Sequence, residues 1–310
     1  MKRLAKFLPQ FDGFGLSDSE WKKINRSDMS PSFWLSSDDY QRLGVSVPKK
    51  NAPVIGLLFG REDGHYCSDW NYVLSLAKAG AAIMFLDYEN HRSQLADCDA
   101  LVLPGGAFAS PEKFYTDAKT HRLEYPTQRS QAYVESIIDA LKYRMPILGI
   151  CAGAQMMAGV AGMKLYRSGD YFESPIEHRT SEEKAHRIWF AEGTPFASLM
   201  GNRKSMIVNS RHSEFLAPER VQREELRLCE GDSLPLDIYA TATDGIPEAW
   251  GDMQKGILCV QWHPEDFADA GKLPYKWVVD MASIHHEGFR KRGYAIVTPL
   301  LRYTDDIKKL

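Results

Sequence analysis

The chain of 310 residues is 44% hydrophobic and 25% charged, which is the usual composition of a globular protein in water. Its formal net charge of -3 gives no reason to expect nucleic acid or an anionic membrane as a partner. Five scattered cysteines without a CxxC pair argue against a zinc ribbon and a disulfide scaffold. The basic N-terminus lacks the apolar region of a secretory signal, and no apolar run is long enough to span a membrane. We therefore expect a cytoplasmic protein with reduced thiols.

Three regions are predicted along the chain. Residues 1–50 are polar and aromatic with little periodicity, and we interpret them as an N-terminal extension whose aromatic side chains dock on the rest of the protein. Residues 51–293 form the main domain, and residues 294–310 form a C-terminal tail.

Short apolar runs alternate with segments of helical periodicity in the first half of the main domain. Strands are predicted at 53–60, 81–88, 99–106 and 146–150, and helices at 71–80, 130–145 and 152–162. This alternation predicts an α/β protein with a mostly parallel central sheet flanked by helices. Further strands, some of them antiparallel, are predicted at 186–191, 205–210, 236–243 and 256–265, followed by a helix near 274–293.

The segment "GICAGAQ" places one cysteine, Cys151, between Gly149 and Gly153 where a predicted strand gives way to a helix. A glycine-x-nucleophile-x-glycine elbow holds its central residue in strained geometry at a helix N-terminus, where the dipole favours a thiolate. Taken alone, a cysteine in an apolar stretch is more often a core residue. The elbow therefore needs support from other segments.

Two further segments end at the same predicted edge of the sheet. "LPGG" (103–106) follows a strand, and its backbone N–H groups could bind a developing oxyanion together with that of Ala152. In "QWHPE", His263 and Glu265 lie two residues apart in an extended segment, so one strand end could carry a base and the carboxylate that orients it. Each segment alone is better explained as an ordinary turn or a structural histidine, but all three together are not.

Together, "LPGG", "GICAGAQ" and "VQWHPE" resemble the class I glutamine amidotransferase family over roughly residues 53 to 290. The resemblance implies the flavodoxin-like fold of that family, with Cys151 as nucleophile, His263 as general base and acid, and Glu265 orienting His263. It also implies an oxyanion hole from the N–H groups of Gly106 and Ala152.

Within this family, "VNSRHSE" (208–214) and "ATDGIPEAW" (242–250) resemble the peptidase C26 branch of γ-glutamyl-GABA hydrolase-like proteins. The family resemblance also implies Gln155 near the glutamyl head group. Asn209 and His212 are expected to contact the substrate, although a turn at Asn209 and Ser210 explains this segment equally well. Several positions depart from the branch pattern, and one of them, Glu214, would favour a cationic leaving amine. His178 and His186 are too far apart for an evident metal site, so we interpret them as surface histidines.

The resemblance favours hydrolysis of a small-molecule γ-glutamyl substrate without a metal or organic cofactor. Association with a second copy of the chain is left open. Two alternatives remain: a glutaminase subunit that supplies ammonia to a separate synthetase, and a non-catalytic regulatory homologue.

Overall fold

The computed structural model describes residues 16–17, 33–35, 37–58, 60–62, 65–67, 70–120, 122–167, 174–217, 234–267 and 270–291. The predicted tail, 294–310, lies outside these residues, as does most of the predicted extension. Within the described part of the chain, none of the helices combines the length and apolar character that crossing a membrane requires.

The strands are numbered in chain order. They are β1 Leu16–Ser17, β2 Phe33–Trp34, β3 Val54–Leu58, β4 Gly60–Glu62, β5 His65–Cys67, β6 Ala82–Leu86, β7 Ala100–Leu103, β8 Ile147–Ile150, β9 Leu165–Tyr166, β10 His186–Phe190, β11 Ser205–Val208, β12 Phe215–Leu216, β13 Asp237–Ala242, β14 Pro247–Asp252 and β15 Ile257–Val260.

The α-helices are α1 Ser37–Arg42, α2 Trp70–Lys78, α3 His91–Leu95, α4 Gln128–Lys142, α5 Ala152–Val160, α6 Pro195–Leu199 and α7 Leu273–Lys291. Short 3-10 turns occur at Glu112–Phe114, Met253–Lys255, Pro264–Asp266 and Ala270–Lys272.

Ten of the described strands form one large sheet in the order β11-β10-β13-β14-β15-β8-β7-β3-β6-β2, while β1, β5 and β4 form a small sheet and β12 pairs with β9. The centre of the large sheet, from β15 through β8, β7 and β3 to β6, is parallel. Antiparallel strands extend it on both sides. The predicted α/β fold with a mostly parallel central sheet is therefore confirmed, and the later strands β10, β11, β13 and β14 pair antiparallel, in line with the expectation that some would.

The two faces of the sheet bury separate hydrophobic clusters, because alternate side chains of each strand point to opposite faces. Leu148 and Ile150 of β8 face one cluster together with side chains of α2 and α7. Ile147 faces the other, which is covered by α4 and α5. The near-continuous apolar runs of the central strands thus reflect burial on both faces.

Part of the N-terminal region contacts this domain. Strand β2 pairs with β6, and Leu35 and Tyr40 are buried in the core. The Tyr40 hydroxyl donates to the Ala81 carbonyl at 2.9 Å and accepts from the Ile83 N–H at 3.0 Å. These contacts attach residues 33–42 to the edge of the central sheet.

Candidate active site

Cys151 occupies a strained position between β8 and α5. Its backbone φ of 50° and ψ of -115° lie in a region that residues with a side chain rarely adopt. The surrounding structure holds this backbone conformation in place. β8 pairs with β15, and the Cys151 N–H donates to the Val260 carbonyl at 2.9 Å. The thiol therefore lies at the N-terminus of α5, where the helix dipole favours negative charge.

The flanking glycines are required by the tightness of this elbow. A Cβ on Gly153 would lie 2.2 Å from the Leu103 carbonyl oxygen, and one on Gly149 would lie 2.8 Å from Cα of Ala154. Both contacts are with backbone, which cannot move away cheaply. The glycines thus let α5 begin directly against β7 and β8, so that the strained cysteine projects from the end of the sheet.

His263 reaches the cysteine because its strand is the parallel neighbour of β8. It lies three residues beyond the end of β15, and the carboxyl ends of adjacent parallel strands meet at one edge of the sheet. Its Nδ1 lies 2.7 Å from Oε1 of Glu265. Its ring lies near Cys151, since a Cβ added to Gly105 would contact both Cβ of Cys151 and Cε1 of His263. Since Nδ1 faces Glu265, Nε2 is the nitrogen left for the thiol.

Glu265 is itself held in place. It is buried, and Tyr275 of α7 donates its hydroxyl to Oε2 at 3.2 Å. Burial opposes a charge on His263, but the Glu265 carboxylate and the Cys151 side chain more than compensate and raise the pKa of His263 well above its ordinary value. The charged form of the His263 imidazole is therefore favoured to a higher pH than in an ordinary histidine.

Replacing Glu265 with glutamine should lower the pKa of His263, because it removes the negative charge that favours the imidazolium. A raised pKa in the folded state contributes stability that is present below the ordinary histidine pKa and is lost as pH rises through the raised value. The variant should therefore lose this contribution and carry a neutral His263 at a lower pH than the wild type. An NMR titration of the His263 ring measures the change directly.

Tyr275→Phe is the matched control, since it removes one hydrogen bond from Glu265 but keeps the carboxylate. Its His263 pKa should stay closer to that of the wild type. An unchanged or higher His263 pKa in Glu265→Gln would contradict the ion pair.

The glycine turn after β7 lies directly against this pair. A Cβ on Gly105 would come within 2.9 Å of Cβ of Cys151 and 3.0 Å of Cε1 of His263. The Gly105 N–H donates to the hydroxyl of Tyr72 at 3.0 Å, and the same hydroxyl lies 3.3 Å from Nδ1 of His263. Only glycine therefore leaves space between the thiol and the imidazole at this point.

The next residue, Gly106, is exposed and has a φ of 131°, a conformation that favours glycine. Arg129 of α4 fixes the turn by donating to the Gly105 carbonyl at 2.9 Å. Ala152 is the first residue of α5, so its N–H has no acceptor within the helix. Gly105 of the turn adjoins Cys151 and Ala152 follows it in the chain, so the N–H groups of Gly106 and Ala152 remain the predicted oxyanion donors.

The side chains predicted to contact the substrate interact with other groups of the protein. Nε2 of Gln155 donates to the Glu214 carbonyl at 2.7 Å and to Oε1 of Gln261 at 3.2 Å. Asn209 accepts from the His263 N–H at 2.8 Å and donates to the His263 carbonyl at 3.0 Å. Asn209 therefore positions the main chain of His263, a role that the sequence alone did not indicate.

His212, the third predicted contact, is buried and lies 3.5 Å from Glu248 through its Nε2. The interpretation of His178 and His186 as surface histidines is wrong, because both are buried beside the same carboxylate. Sequence spacing missed this group because its members come from four separate segments. Finding that these residues lie together would have required knowledge of how the antiparallel strands pair over long distances in the chain.

The cysteines differ in their surroundings. Burial raises the pKa of the Cys98 and Cys259 thiols, so both stay protonated and unreactive. Among the described cysteines, Cys151 is the one with a histidine partner. Tyr72, Arg129 and Tyr275 are supporting residues that the sequence analysis did not single out, since none of them belongs to a short motif.

Comparisons with known proteins identify relatives of this chain. The peptidase C26 family model matches residues 59–265. The glutamine amidotransferase-like protein YvdE of Lactococcus lactis is 30% identical over 181 residues, covering 57% of this chain and 70% of that protein. The γ-glutamyl-γ-aminobutyrate hydrolase PuuD of Escherichia coli K12 is 26% identical over 233 residues, covering 69% of this chain and 86% of that protein.

A solved structure shares the fold at low sequence identity. The glutaminase domain of CTPS from Trypanosoma brucei, solved with bound acivicin, superposes with a TM-score of 0.52 at 13% identity. The match covers 75% of this chain and 94% of that domain.

Proposed function

The chain belongs to the peptidase C26 family, and from this premise we propose that it is a cysteine-dependent hydrolase that cleaves a γ-glutamyl amide bond through a thioester. The proposal rests mainly on one observation. The strained Cys151 lies beside His263, and the buried Glu265 raises the pKa of that histidine. One of the named relatives is a γ-glutamyl-γ-aminobutyrate hydrolase and another is described as glutamine amidotransferase-like.

In the first half-reaction the Cys151 thiolate attacks the amide carbonyl carbon and forms a tetrahedral intermediate. The Ala152 and Gly106 N–H groups donate to its oxyanion, the interaction that lowers the barrier to acyl transfer. Nε2 of His263 gives its proton to the leaving amine as the C–N bond breaks. The product is a γ-glutamyl thioester on Cys151 and a free amine.

In the second half-reaction the now neutral His263 takes a proton from water, and the hydroxide attacks the thioester carbonyl. A second oxyanion forms in the same place and collapses with loss of the Cys151 thiolate, which releases glutamate. Glu265 keeps Nδ1 of His263 engaged through both steps, so that Nε2 remains the nitrogen that transfers the proton. Every proton is returned, and the cycle uses side chains, backbone N–H groups and water.

For the substrate, we propose a γ-glutamyl conjugate of an amine larger than ammonia. The support is similarity to a γ-glutamyl-γ-aminobutyrate hydrolase over most of both chains. The side chain of Glu214 accepts from the Tyr115 hydroxyl at about 3.0 Å, and burial raises its pKa while Arg167 opposes that rise. Its charge is thus partly offset, which weakens the preference for a cationic amine expected from the sequence.

The test is to compare kcat/KM for glutamine, γ-glutamyl-GABA and a γ-glutamyl polyamine. We expect both conjugates to exceed glutamine by about tenfold or more, because a pocket that accommodates a larger leaving group gains binding from it. Glu214→Gln is the matched variant, and it should reduce any preference for the cationic conjugate over the acidic one.

If glutamine is the best of the three substrates, the enzyme is an ammonia donor for a synthetase instead. If no substrate turns over and a thiol-reactive glutamine analogue fails to label Cys151, the non-catalytic alternative is correct.

A further inference from the structure

A second group of titratable side chains lies apart from the proposed triad. His178, His186, His212 and Glu248, called here the histidine cluster, are all buried, and their potential ligand atoms lie within 4.8 Å of one another. His186 begins β10, Glu248 lies on β14, and His212 follows β11, so antiparallel strands bring the side chains together. The His178 ring lies 4.7 Å from that of His186 and 5.0 Å from that of His212, measured between centroids.

The polar atoms that face one another in this cluster have no hydrogen-bond partner within the described part of the chain. They are Nδ1 of His178, Nε2 of His186, Nε2 of His212 and both oxygens of Glu248. A buried carboxylate without a partner is costly, and buried polar groups in native proteins are nearly always satisfied. The cluster therefore lacks a binding partner that would satisfy four side chains at once.

The spacing of the atoms suits a tetrahedral metal ion. Oε1 of Glu248 lies 3.4 Å from Nδ1 of His178, 3.4 Å from Nε2 of His186 and 3.5 Å from Nε2 of His212. These distances are too long for good hydrogen bonds. These three separations match the edge of about 3.3 Å of a tetrahedron whose centre lies about 2.0 Å from nitrogen and oxygen ligands, as in zinc sites, and the other separations between ligand atoms are within 4.8 Å.

We propose that the histidine cluster binds one divalent transition-metal ion of the zinc class, with His178, His186, His212 and Glu248 as its four ligands. Imidazole nitrogens favour Zn²⁺ and its neighbours over Mg²⁺ and Ca²⁺, which prefer oxygen ligands. Four protein ligands close the tetrahedron, which is the pattern of a structural site rather than a catalytic one.

The surroundings of the cluster resemble the outer shell of a metal site. Nε2 of His178 lies 2.8 Å from Oδ2 of Asp244, and Nδ1 of His212 lies 3.1 Å from the Glu214 carbonyl oxygen. Such partners orient ligand imidazoles and present the opposite nitrogen to the metal. The two carboxylates, Glu248 and Asp244, together balance the charge of one divalent ion.

The proposed ion would stabilise the segment that connects the two sites. Residues 209–214 carry Asn209, which holds the main chain of His263, and Glu214, whose carbonyl accepts from both Gln155 and His212. His212 lies between them in sequence. Fixing His212 on a metal would therefore fix the support of His263 and of the α5 helix that begins at Cys151.

A cluster without a metal would have to balance its charge with protons. One protonated histidine offsets one of two carboxylates and leaves Nε2 of His186 and of His212 unpartnered. The two possibilities differ in what they predict for the purified protein.

The test is the metal content and melting temperature of the full-length protein, neither of which depends on the proposed hydrolase activity. We expect about one Zn²⁺ per chain after purification without added chelator. Removing it should lower Tm by about 5 °C or more, and adding Zn²⁺ back should restore Tm. Co²⁺ in its place should give the visible absorption of a tetrahedral complex.

His186→Gln removes one ligand, and His91→Gln is the matched control, because His91 is equally buried but lies beside Glu135. The first variant should lose the Co²⁺ spectrum and the Zn²⁺-dependent rise in Tm, and the second should keep both. The proposal is overturned if wild-type protein purifies without metal and neither Zn²⁺ nor Co²⁺ changes its Tm or absorption. It is equally overturned if His186→Gln binds Zn²⁺ as tightly as the wild type.

Discussion

Cys151→Ala is expected to lower kcat/KM for a γ-glutamyl amide by about three orders of magnitude or more, the scale seen when a nucleophile is removed from a catalytic triad. The fold should remain intact, because alanine is compatible with the packed elbow and removes only one sulfur. Steady-state kinetics measure the first effect, and circular dichroism with thermal melting measures the second. The thioester should also disappear from mass spectra of the protein trapped with substrate.

Cys98→Ala is the matched control, since Cys98 is buried in the core and its thiol contacts Met84 at 3.8 Å. It should cost about 1–2 kcal/mol of stability by leaving a small cavity, yet retain kcat/KM. Full activity in Cys151→Ala, or equal loss in both variants, would show that the reaction does not pass through Cys151.

His263→Ala should be almost as damaging as Cys151→Ala. The imidazole both stabilises the thiolate and gives the leaving amine its proton, so neither half-reaction proceeds without it. The double variant Cys151→Ala with His263→Ala should be no slower than either single variant, because the two residues act as a unit. The measurement is kcat/KM for all three proteins on one substrate.

Two outcomes would count against this role for His263. Additive losses in the double variant would mean that His263 acts independently of Cys151. Retention of more than about a tenth of wild-type kcat/KM in His263→Ala would mean that another group transfers the proton. His285→Ala, which removes a histidine of α7 that contacts the Tyr143 carbonyl, should leave kcat/KM unchanged.

The parts of the candidate site that could be predicted are those whose residues lie close together in the sequence. The elbow at Cys151 and the pair His263 and Glu265 each lie within a few residues of chain, and the alternation of strands and helices predicts that they meet at one edge of the sheet. The same alternation predicts the fold, since apolar runs between amphipathic helices form parallel strands.

The supporting residues could not be predicted because they act over long separations. Tyr72 reaches His263 across 191 positions and Asn209 reaches it across 54, and neither stands in a motif that specifies such a contact. The histidine cluster is a clearer case, because the spacing of His178 and His186 suggested solvent exposure. Their burial follows from the pairing of β10 with β13 and of β13 with β14, which places Glu248 beside them.

Strand β2 has a consequence for the behaviour of the protein at high concentration. Without its two residues, Phe33–Trp34, the apolar strand β6 would form the outer margin of the sheet with unpaired backbone N–H and C=O groups. Such margins invite a strand from another molecule to add on, the first step of ordered aggregation. The short N-terminal strand covers part of this edge of β6 and should limit self-association, a role separate from the chemistry at Cys151.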